Sequence, residues 1–352
     1  MSQQPRSVNS VPSAAPSSPP AAAVMTQMVY GFWISRSLQI MAELGIADII
    51  GDVPKTAEEL AQASGTYAPA LRRMLRLLSG LGVLIKDEET QAFALTELGV
   101  MLRKDSPGSV YGSLRAHGHL LSWSAWGDLV SSLKTGQPSV EKFMGDSFFG
   151  YLSSHPEDAA IFNGSMAAYQ SLNAPAVVGA YDFTQVRSVV DVGGGTGTLL
   201  GHILQSHPHL KGALFELPHV KAEATARLNG MGLGNRCQVL EGDFFAKIPA
   251  GHDVYILSQI LHDWDDERSL KILTNMREAM GPQSKLLIVE TVLPGDNVQH
   301  FGNLYDMAML VLVGGRERTG PEYSALVEKA GLRVHRVLPT YMPPSVVEVV
   351  PA

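Results

Sequence analysis

Asp191-Val-Gly193-Gly-Gly195-Thr-Gly197-Thr198 overlaps the apolar run Ser188-Val-Val-Asp-Val192 and leads into a helical pattern that begins near Leu199. A short apolar strand, a glycine-rich turn and a helix form the first unit of an open α/β sheet. The glycines let the main chain approach a ligand closely at the carboxyl end of the strand. A dinucleotide fingerprint, G-x-G-x-x-G, cannot start at Gly193 or Gly195, because Thr198 and Leu200 stand where its last glycine belongs. The spacing is instead D-x-G-x-G-x-G. Asp191 would repel a pyrophosphate and attract a cationic amino group, which points to S-adenosylmethionine rather than NAD, with Asp191, Gly193 and Gly195 as its contacts. A nicotinamide oxidoreductase on the same sheet is the competing reading.

Downstream, the runs Ala213-Leu-Phe-Glu216, Gln238-Val-Leu-Glu241, Val254-Tyr-Ile-Leu257 and Leu286-Leu-Ile-Val289 alternate with amphipathic helices. Such alternation predicts a doubly wound, Rossmann-like parallel sheet over residues 181–352. Val334-His-Arg-Val337 and Val346-Val-Glu-Val349 then predict a terminal antiparallel hairpin. Glu216 closes the second strand 19 residues after Gly197, where such sheets place the acid that accepts ribose hydroxyls. After the third strand, Asp243 is placed to accept from an adenine amino group while Phe244 packs on the ring.

Upstream, helices from Met25 to about Leu44, after Thr56, and from Ala68 to Ser79 precede a hairpin made of Val83–Ile85 and Phe93–Leu95. Thr56 and Glu59 have the spacing of a capping box. Residues 25–105 therefore read as a winged-helix module. Arg72, Arg73 and Arg76 on its third helix raise a DNA-binding regulator as an alternative, but seven nearby acids cancel their field. The module is expected to pair two chains, because the helix Met28–Leu44 is too apolar on one face to be left in water. Residues 106–180 form a helical connector rich in aromatic and sulfur side chains, from which Phe162 and Met166 are candidate walls of a pocket for a planar ligand. Residues 1–24, dominated by Ser, Pro and Ala, read as a disordered tail.

Composition narrows the function classes. With 45% hydrophobic and 17% charged residues the chain reads as globular, and no apolar run is long enough to cross a bilayer. Its 27 basic and 34 acidic residues offer no general attraction to nucleic acid or anionic lipid. The single cysteine, Cys237, excludes an intramolecular disulfide and fits a reducing cytoplasm.

The reacting group is sought after the fourth strand, in Leu261-His262-Asp263-Trp264-Asp265-Asp266-Glu267. His262 stands at a strand's carboxyl end facing the ligand crevice, where an imidazole titrating near neutrality can take a hydroxyl proton. Asp265 or Asp266 is expected to cap the next helix, and the role of Asp263 stays open. Glu290, at the end of the fifth strand, and Glu317, in Gly314-Gly-Arg-Glu-Arg-Thr319, are candidates to fix the imidazole. Glu317 paired on the surface with Arg316 or Arg318 is the other reading of that residue.

The segments DVGGGTG, FELPHV, GDFF, LHDWDDE, IVETVLP and GGRERT, with GFWISRSLQIMAELGIADII near the start, resemble the caffeate and hydroxyindole type of S-adenosylmethionine-dependent O-methyltransferase. The resemblance runs from about residue 26 to the end. It implies a homodimer paired through the winged-helix region and metal-independent transfer of a methyl group to a hydroxyl. By the same resemblance His262 is the base, and Glu290 and Glu317 support it. Glu216 stands where the family often has Asp. Ser258, assigned to the cofactor contacts, occupies the place where plant members carry a Lys that touches the adenine. The acceptor is expected to be a small hydroxylated aromatic, with Met307 and Asp263 joining Phe162 and Met166 around it.

Overall fold

The computed structural model describes residues 19–352, so most of the tail expected over residues 1–24 lies outside the described residues. From Ala21 the chain is already helical. Ala21–Val24, read as tail, belong to the first helix instead, because an alanine run carries the strongest helix propensity even where no charge or apolar period announces it.

Three short helices follow α1 (Ala21–Glu43) around a small sheet: α2 (Ile46–Ile50), then β1 (Lys55–Thr56), α3 (Ala57–Ser64), α4 (Ala68–Gly80), and the wing strands β2 (Leu84–Lys86) and β3 (Ala92–Leu95). The wing has the strand order β1-β3-β2, so the hairpin gains a third strand from the two residues that cap α3. Thr56 Oγ1 accepts from the Glu59 amide at 3.3 Å, and Glu59 Oε2 accepts from the Thr56 amide at 2.7 Å, which completes the capping box. Met41, Leu60, Leu75 and Phe93 close this module's core. Arg72 is paired to Glu58 at 2.5 Å, as expected of a solvated helix face.

After α5 (Glu97–Val100) the connector folds as α6 (Tyr111–Gly118), α7 (Leu120–Gly127), α8 (Leu129–Thr135), α9 (Val140–Met144), α10 (Phe148–Ser154) and α11 (Pro156–Ala180), the last of them 25 residues long. The sheet domain then alternates β4 (Ser188–Val192), α12 (Thr198–Ser206), β5 (Lys211–Glu216), α13 (Lys221–Gly230), β6 (Cys237–Glu241), β7 (Val254–Ser258), α14 (Asp266–Ala279) and β8 (Lys285–Glu290). It ends with β9 (Val292–Leu293), α15 (Phe301–Leu312), β10 (Arg318–Thr319), α16 (Gly320–Lys329), β11 (Leu332–Leu338) and β12 (Ser345–Pro351).

The seven-stranded sheet has the order β11-β12-β8-β7-β4-β5-β6. Strands β4 to β8 are parallel, and β12 returns antiparallel between β8 and β11. Side chains alternate along each strand, so Tyr255 and Leu257 enter one face's core with Ile272, Met276 and Tyr323. Ile256 enters the opposite core with Leu200, Ile203 and Leu287. Two covered faces explain the nearly continuous apolar runs of the sequence. The order reverses between β4 and β7, which places a crevice at their carboxyl ends. Among the described residues no helix is long and apolar enough to cross a membrane.

Candidate active site

The glycine loop lies at that crevice. Gly193, Gly195 and Gly197 have φ of 73°, 57° and 77°, values that only glycine adopts without strain. A Cβ at Gly193 would stand 2.6 Å from Ile260 Cδ1 and 3.3 Å from Phe244 Cε1, so the loop is closed in by the segment that follows β7 and by the one that follows β6. Asp191 is buried, and neither of its carboxylate oxygens has a hydrogen-bond partner. Burial, with the charge of Glu216 beside it, pushes its pKa up to about 7. An orphaned carboxylate under a glycine loop suits a ligand that brings an ammonium group, so the residues present fit the amino-acid end of S-adenosylmethionine.

Glu216 Oε2 accepts from the Gly195 amide at 3.0 Å and Oε1 from the Leu217 amide at 2.8 Å, which braces the loop against the end of β5. Asp243 is exposed and accepts from the Phe245 amide at 2.8 Å, with Phe244 turned toward the loop. Ser258 is the remaining residue expected among the cofactor contacts. It is buried at the end of β7 and accepts from Gln170 Nε2 at 3.0 Å, so its hydroxyl ties α11 to the strand.

His262 sits in a single 3₁₀ turn, Leu261–Asp263, directly after β7. Its imidazole is buried, with Nδ1 at 2.7 Å from Glu317 Oε1 and Nε2 at 3.5 Å from Asp263 Oδ1. The surface reading of Glu317 therefore fails, since that side chain is buried against the imidazole. Burial alone would lower the His262 pKa. The charges of Asp263 and Glu317, with Glu290 further off, reverse this and push it up to about 10. Burial likewise pushes Asp263 up to about 7, against the pull of His262.

Glu290 does not touch the imidazole, contrary to the sequence reading. Its Oε1 accepts from the amides of Ile260 (3.1 Å), Leu261 (2.6 Å) and His262 (3.3 Å), and its Oε2 accepts from the Tyr323 hydroxyl. The turn leaves those amides without main-chain partners, and a buried carboxylate satisfies them together. Arg318 does the same for the carbonyls: fully buried, it donates to Leu261 O (2.9 Å), Trp264 O (3.1 Å), Ser269 Oγ (3.2 Å) and Asp266 Oδ1 (2.8 Å). Gly315 approaches the same turn so closely that a Cβ there would lie 2.5 Å from the Asp263 carbonyl carbon. Asp265 caps α14, accepting from the Arg268 amide at 2.8 Å.

Aromatic rings wall the turn. Phe162 packs edge-on against Phe148 (5.1 Å) and Phe149 (6.3 Å), and Phe149 stacks on Trp264 at 5.9 Å, so Phe162 reaches the turn through a second ring. Met166 and Met307 are half-buried on α11 and α15. The same two helices supply Tyr169 and Tyr305, stacked at 6.1 Å, and Tyr305 lies 6.1 Å from the His262 ring. Sequence reading missed Tyr169, Tyr305, Arg318 and Tyr323. Phe162, Met166 and Tyr169 fall on one helical face, i, i+4 and i+7, and that period was the only signal available.

The sheet, the glycine loop and the strand-end acids define a Rossmann-like methyltransferase. Comparison with known proteins agrees. The O-methyltransferase domain matches residues 126–333 and the O-methyltransferase dimerisation domain residues 26–105. A phenazine O-methyltransferase of Lysobacter antibioticus is 45% identical over 94% of this chain and 97% of its own. An O-methyltransferase from neocarzinostatin biosynthesis, solved with S-adenosylmethionine and 2-hydroxy-5-methyl naphthoic acid, superposes with a TM-score of 0.79 at 34% identity, covering 91% of this chain and 96% of that one. Human N-acetylserotonin methyltransferase with S-adenosylmethionine gives 0.88 at 25% identity, covering 96% and 99%. The chain belongs to the O-methyltransferase family and is an S-adenosylmethionine-dependent O-methyltransferase.

Arg318→Met keeps the length of the side chain but removes its charge-assisted hydrogen bonds to Leu261 O, Trp264 O and Ser269 Oγ and its pairing with the half-exposed Asp266. Urea unfolding is expected to show a loss of about 1.5–3 kcal/mol. A loss below about 1 kcal/mol would mean the guanidinium is not holding the turn.

Proposed function

We propose that the enzyme methylates a hydroxyl of a small aromatic secondary metabolite, with His262 as the base that removes the hydroxyl proton. The observation that carries this reading is the buried imidazole bound at Nδ1 by Glu317, 2.7 Å away, in the turn that follows the strand next to the one that bears the glycine loop. S-adenosylmethionine supplies a methyl group on a positively charged sulfur, already activated toward attack. The protein's remaining tasks are alignment and proton removal.

Asp191 is assigned to the donor's ammonium, Glu216 to its ribose hydroxyls, and Asp243 and Phe244 to the adenine, with Gly193 and Gly195 giving the main chain its close approach. His262 Nε2 takes the acceptor proton while Nδ1–H stays donated to Glu317 Oε1. The imidazolium so formed lies between the carboxylates of Glu317 and Asp263, which favour it. Glu290 acts as a positioning residue through the main chain of the turn. Phe162, Met166 and Met307 are assigned to the wall of the acceptor pocket, and Asp263 to a polar contact on its rim. In this division of labour residues 25–105 pair two chains, 106–180 help to enclose the acceptor, and 181–352 bind the donor.

A homodimer is the arrangement that covers Met25, Met28, Val29, Phe32 and Trp33, all of them large, apolar and exposed on α1. Sedimentation is expected to give a dimer, and Phe32→Asp with Trp33→Asp a monomer. A wild-type monomer would refute the pairing.

His262→Ala is expected to lower kcat by about 10²–10⁴-fold with S-adenosylhomocysteine affinity nearly unchanged. Near-normal turnover at pH 7 on a phenol that is not already ionised would remove His262 from the reaction. The pH profile tests its partner. The active form has Nε2 unprotonated, so kcat/KM, which reports the free enzyme, should climb with pH toward the raised value near 10. Glu317→Gln deletes one of the charges that raise it and should move the climb to lower pH. An unmoved profile would separate Glu317 from the base.

Burial of Asp191 gives a further test in calorimetry. A carboxyl with a pKa near 7 is partly protonated at that pH, and pairing with an ammonium favours its ionised form, so S-adenosylhomocysteine should release protons on binding. The apparent enthalpy at pH 7 should then depend on the buffer's ionisation enthalpy, and Asp191→Asn should reduce that dependence. The same dependence in Asp191→Asn would place the ammonium elsewhere.

A further inference from the structure

A buried base has to dispose of the proton it takes. The His262 imidazole is buried, yet as the base it receives one proton from the acceptor in every turnover, and that proton must reach water before the next. The methylated product does not carry it away, because an aryl ether oxygen is too weak a base to draw a proton from an imidazolium. Nδ1 offers no way out, since it is held by Glu317, whose side chain is fully buried. Glu290 is committed to three amides and to the Tyr323 hydroxyl. The Tyr305 ring lies 6.1 Å from the imidazole, but burial holds its phenol well above its ordinary pKa, so it stays neutral and takes up no proton.

One group remains, and it stands at the nitrogen that receives the proton. Asp263 Oδ1 is 3.5 Å from His262 Nε2, and the Asp263 side chain keeps 19% of its surface open to solvent, against 4% for His262. Among the described residues the imidazole is its only ionic partner. Its main chain is fixed: the Asp263 amide donates to Ile260 O at 3.2 Å, and a Cβ at Gly315 would lie 2.5 Å from the Asp263 carbonyl carbon. The carboxylate is therefore held against the base on one side while the group still reaches water on another.

We propose that Asp263 is a proton relay, which accepts the proton from His262 Nε2 and passes it to water or to a dissolved buffer. The inference rests on the reading of His262 as the base and deepens it. In the transfer step the acceptor O–H bond breaks as its proton goes to Nε2, the oxygen bonds to the methyl carbon, and the carbon–sulfur bond breaks with its electron pair left on sulfur. Nε2 then gives the proton to the Asp263 carboxylate, and the carboxylic acid gives it to water. Each methyl group transferred frees one proton and restores both side chains. Burial supports this role, since it brings the Asp263 carboxyl up to about 7, and an acid that titrates near neutrality both takes and gives a proton readily.

The test is the dependence of kcat on buffer concentration, at constant pH and ionic strength, with catechol or 2-naphthol, whichever the wild-type enzyme methylates faster. Wild-type turnover is expected to stay flat as imidazole buffer is raised. Asp263→Asn keeps the shape of the side chain but takes up no proton, so its kcat is expected to fall by about 10–10²-fold in dilute buffer and to climb severalfold as imidazole replaces the relay. Asp263→Ala, which leaves room beside Nε2, should respond to formate as well, and it gives the same reading should the Asn variant fold poorly. A residue that only contacts the acceptor or shapes the turn would change KM or kcat without any response to buffer. A flat response in both variants, or a wild-type enzyme that responds as strongly as they do, would overturn the relay. The reading beneath it fails by other measurements: near-normal turnover of His262→Ala, or methylation of neither phenol, would remove the base that the relay serves.

Discussion

The site depends on one turn, residues 260–264, and on the two buried charges that hold its main chain. A strand that ends in a 3₁₀ turn abandons the ladder that satisfied its amides and carbonyls, and here it does so away from water. Gln259, at the corner, has φ of 57°, a left-handed conformation that is uncommon for a residue with a side chain. Glu290 receives three amides and Arg318 gives to two carbonyls, and the Leu261–His262 peptide is bound by opposite charges at its two ends. Each ion is costly to bury alone. Several charge-assisted hydrogen bonds to each offset that cost and leave the turn with little freedom.

This arrangement also explains why Glu317 meets the imidazole. Arg318 belongs to β10, which pairs in parallel with β9, two residues beyond Glu290 at the end of β8, so the pairing brings Arg318 up to the segment that follows the other clamping residue. The residue before Arg318 is thereby delivered to the far side of the turn, where its carboxylate faces His262 Nδ1. Asp306 accepts from the Glu317 amide at 2.9 Å and fixes the loop from α15. Orientation of the imidazole is a consequence of main-chain anchoring, and its raised pKa is a consequence chiefly of the charges of Asp263 and Glu317 beside it. Under the proposed reading, an imidazole enclosed by carboxylates is matched to a reaction that leaves a proton on it, because the field that favours the imidazolium is already in place.

The sheet was legible because strand and helix periods differ, and because a glycine loop has few other uses at that position. Caps were legible for the same local reason: the Thr56–Glu59 and Asp265 contacts involve residues three apart in sequence. The clamp was not. Glu290 was read as a carboxylate aimed at an imidazole, and nothing in the sequence distinguishes that from one aimed at three amides. Arg318 stands in a polar run that reads as solvated, and only the closing of β10 on β9 buries it. The partner Tyr323 bonds Glu290 across 33 residues of sequence, beyond the reach of any local pattern. The first helix was misjudged at its start because a Pro- and Ala-rich stretch looks like a tail until its prolines stop, at Pro20.

Helix α11 links the two halves of the site. Its residues 169 and 170 are adjacent in sequence, about 100° apart around the axis, and they serve different ends. Gln170 bonds Ser258 at the end of β7, while Tyr169 stacks on Tyr305 beside the imidazole. A slide of the helix by one turn, about 5.4 Å, would break both contacts at once. The helix also contains Pro175, which cannot donate to the carbonyl four residues earlier. Asn173 Nδ2 donates to the Tyr169 carbonyl at 2.7 Å in the same turn. The connector is thus held in register by a polar contact at the end of β7 and an aromatic one on α15. One rigid element, rather than two loops that vary independently, fixes where the strand end and the ring beside the imidazole stand relative to each other.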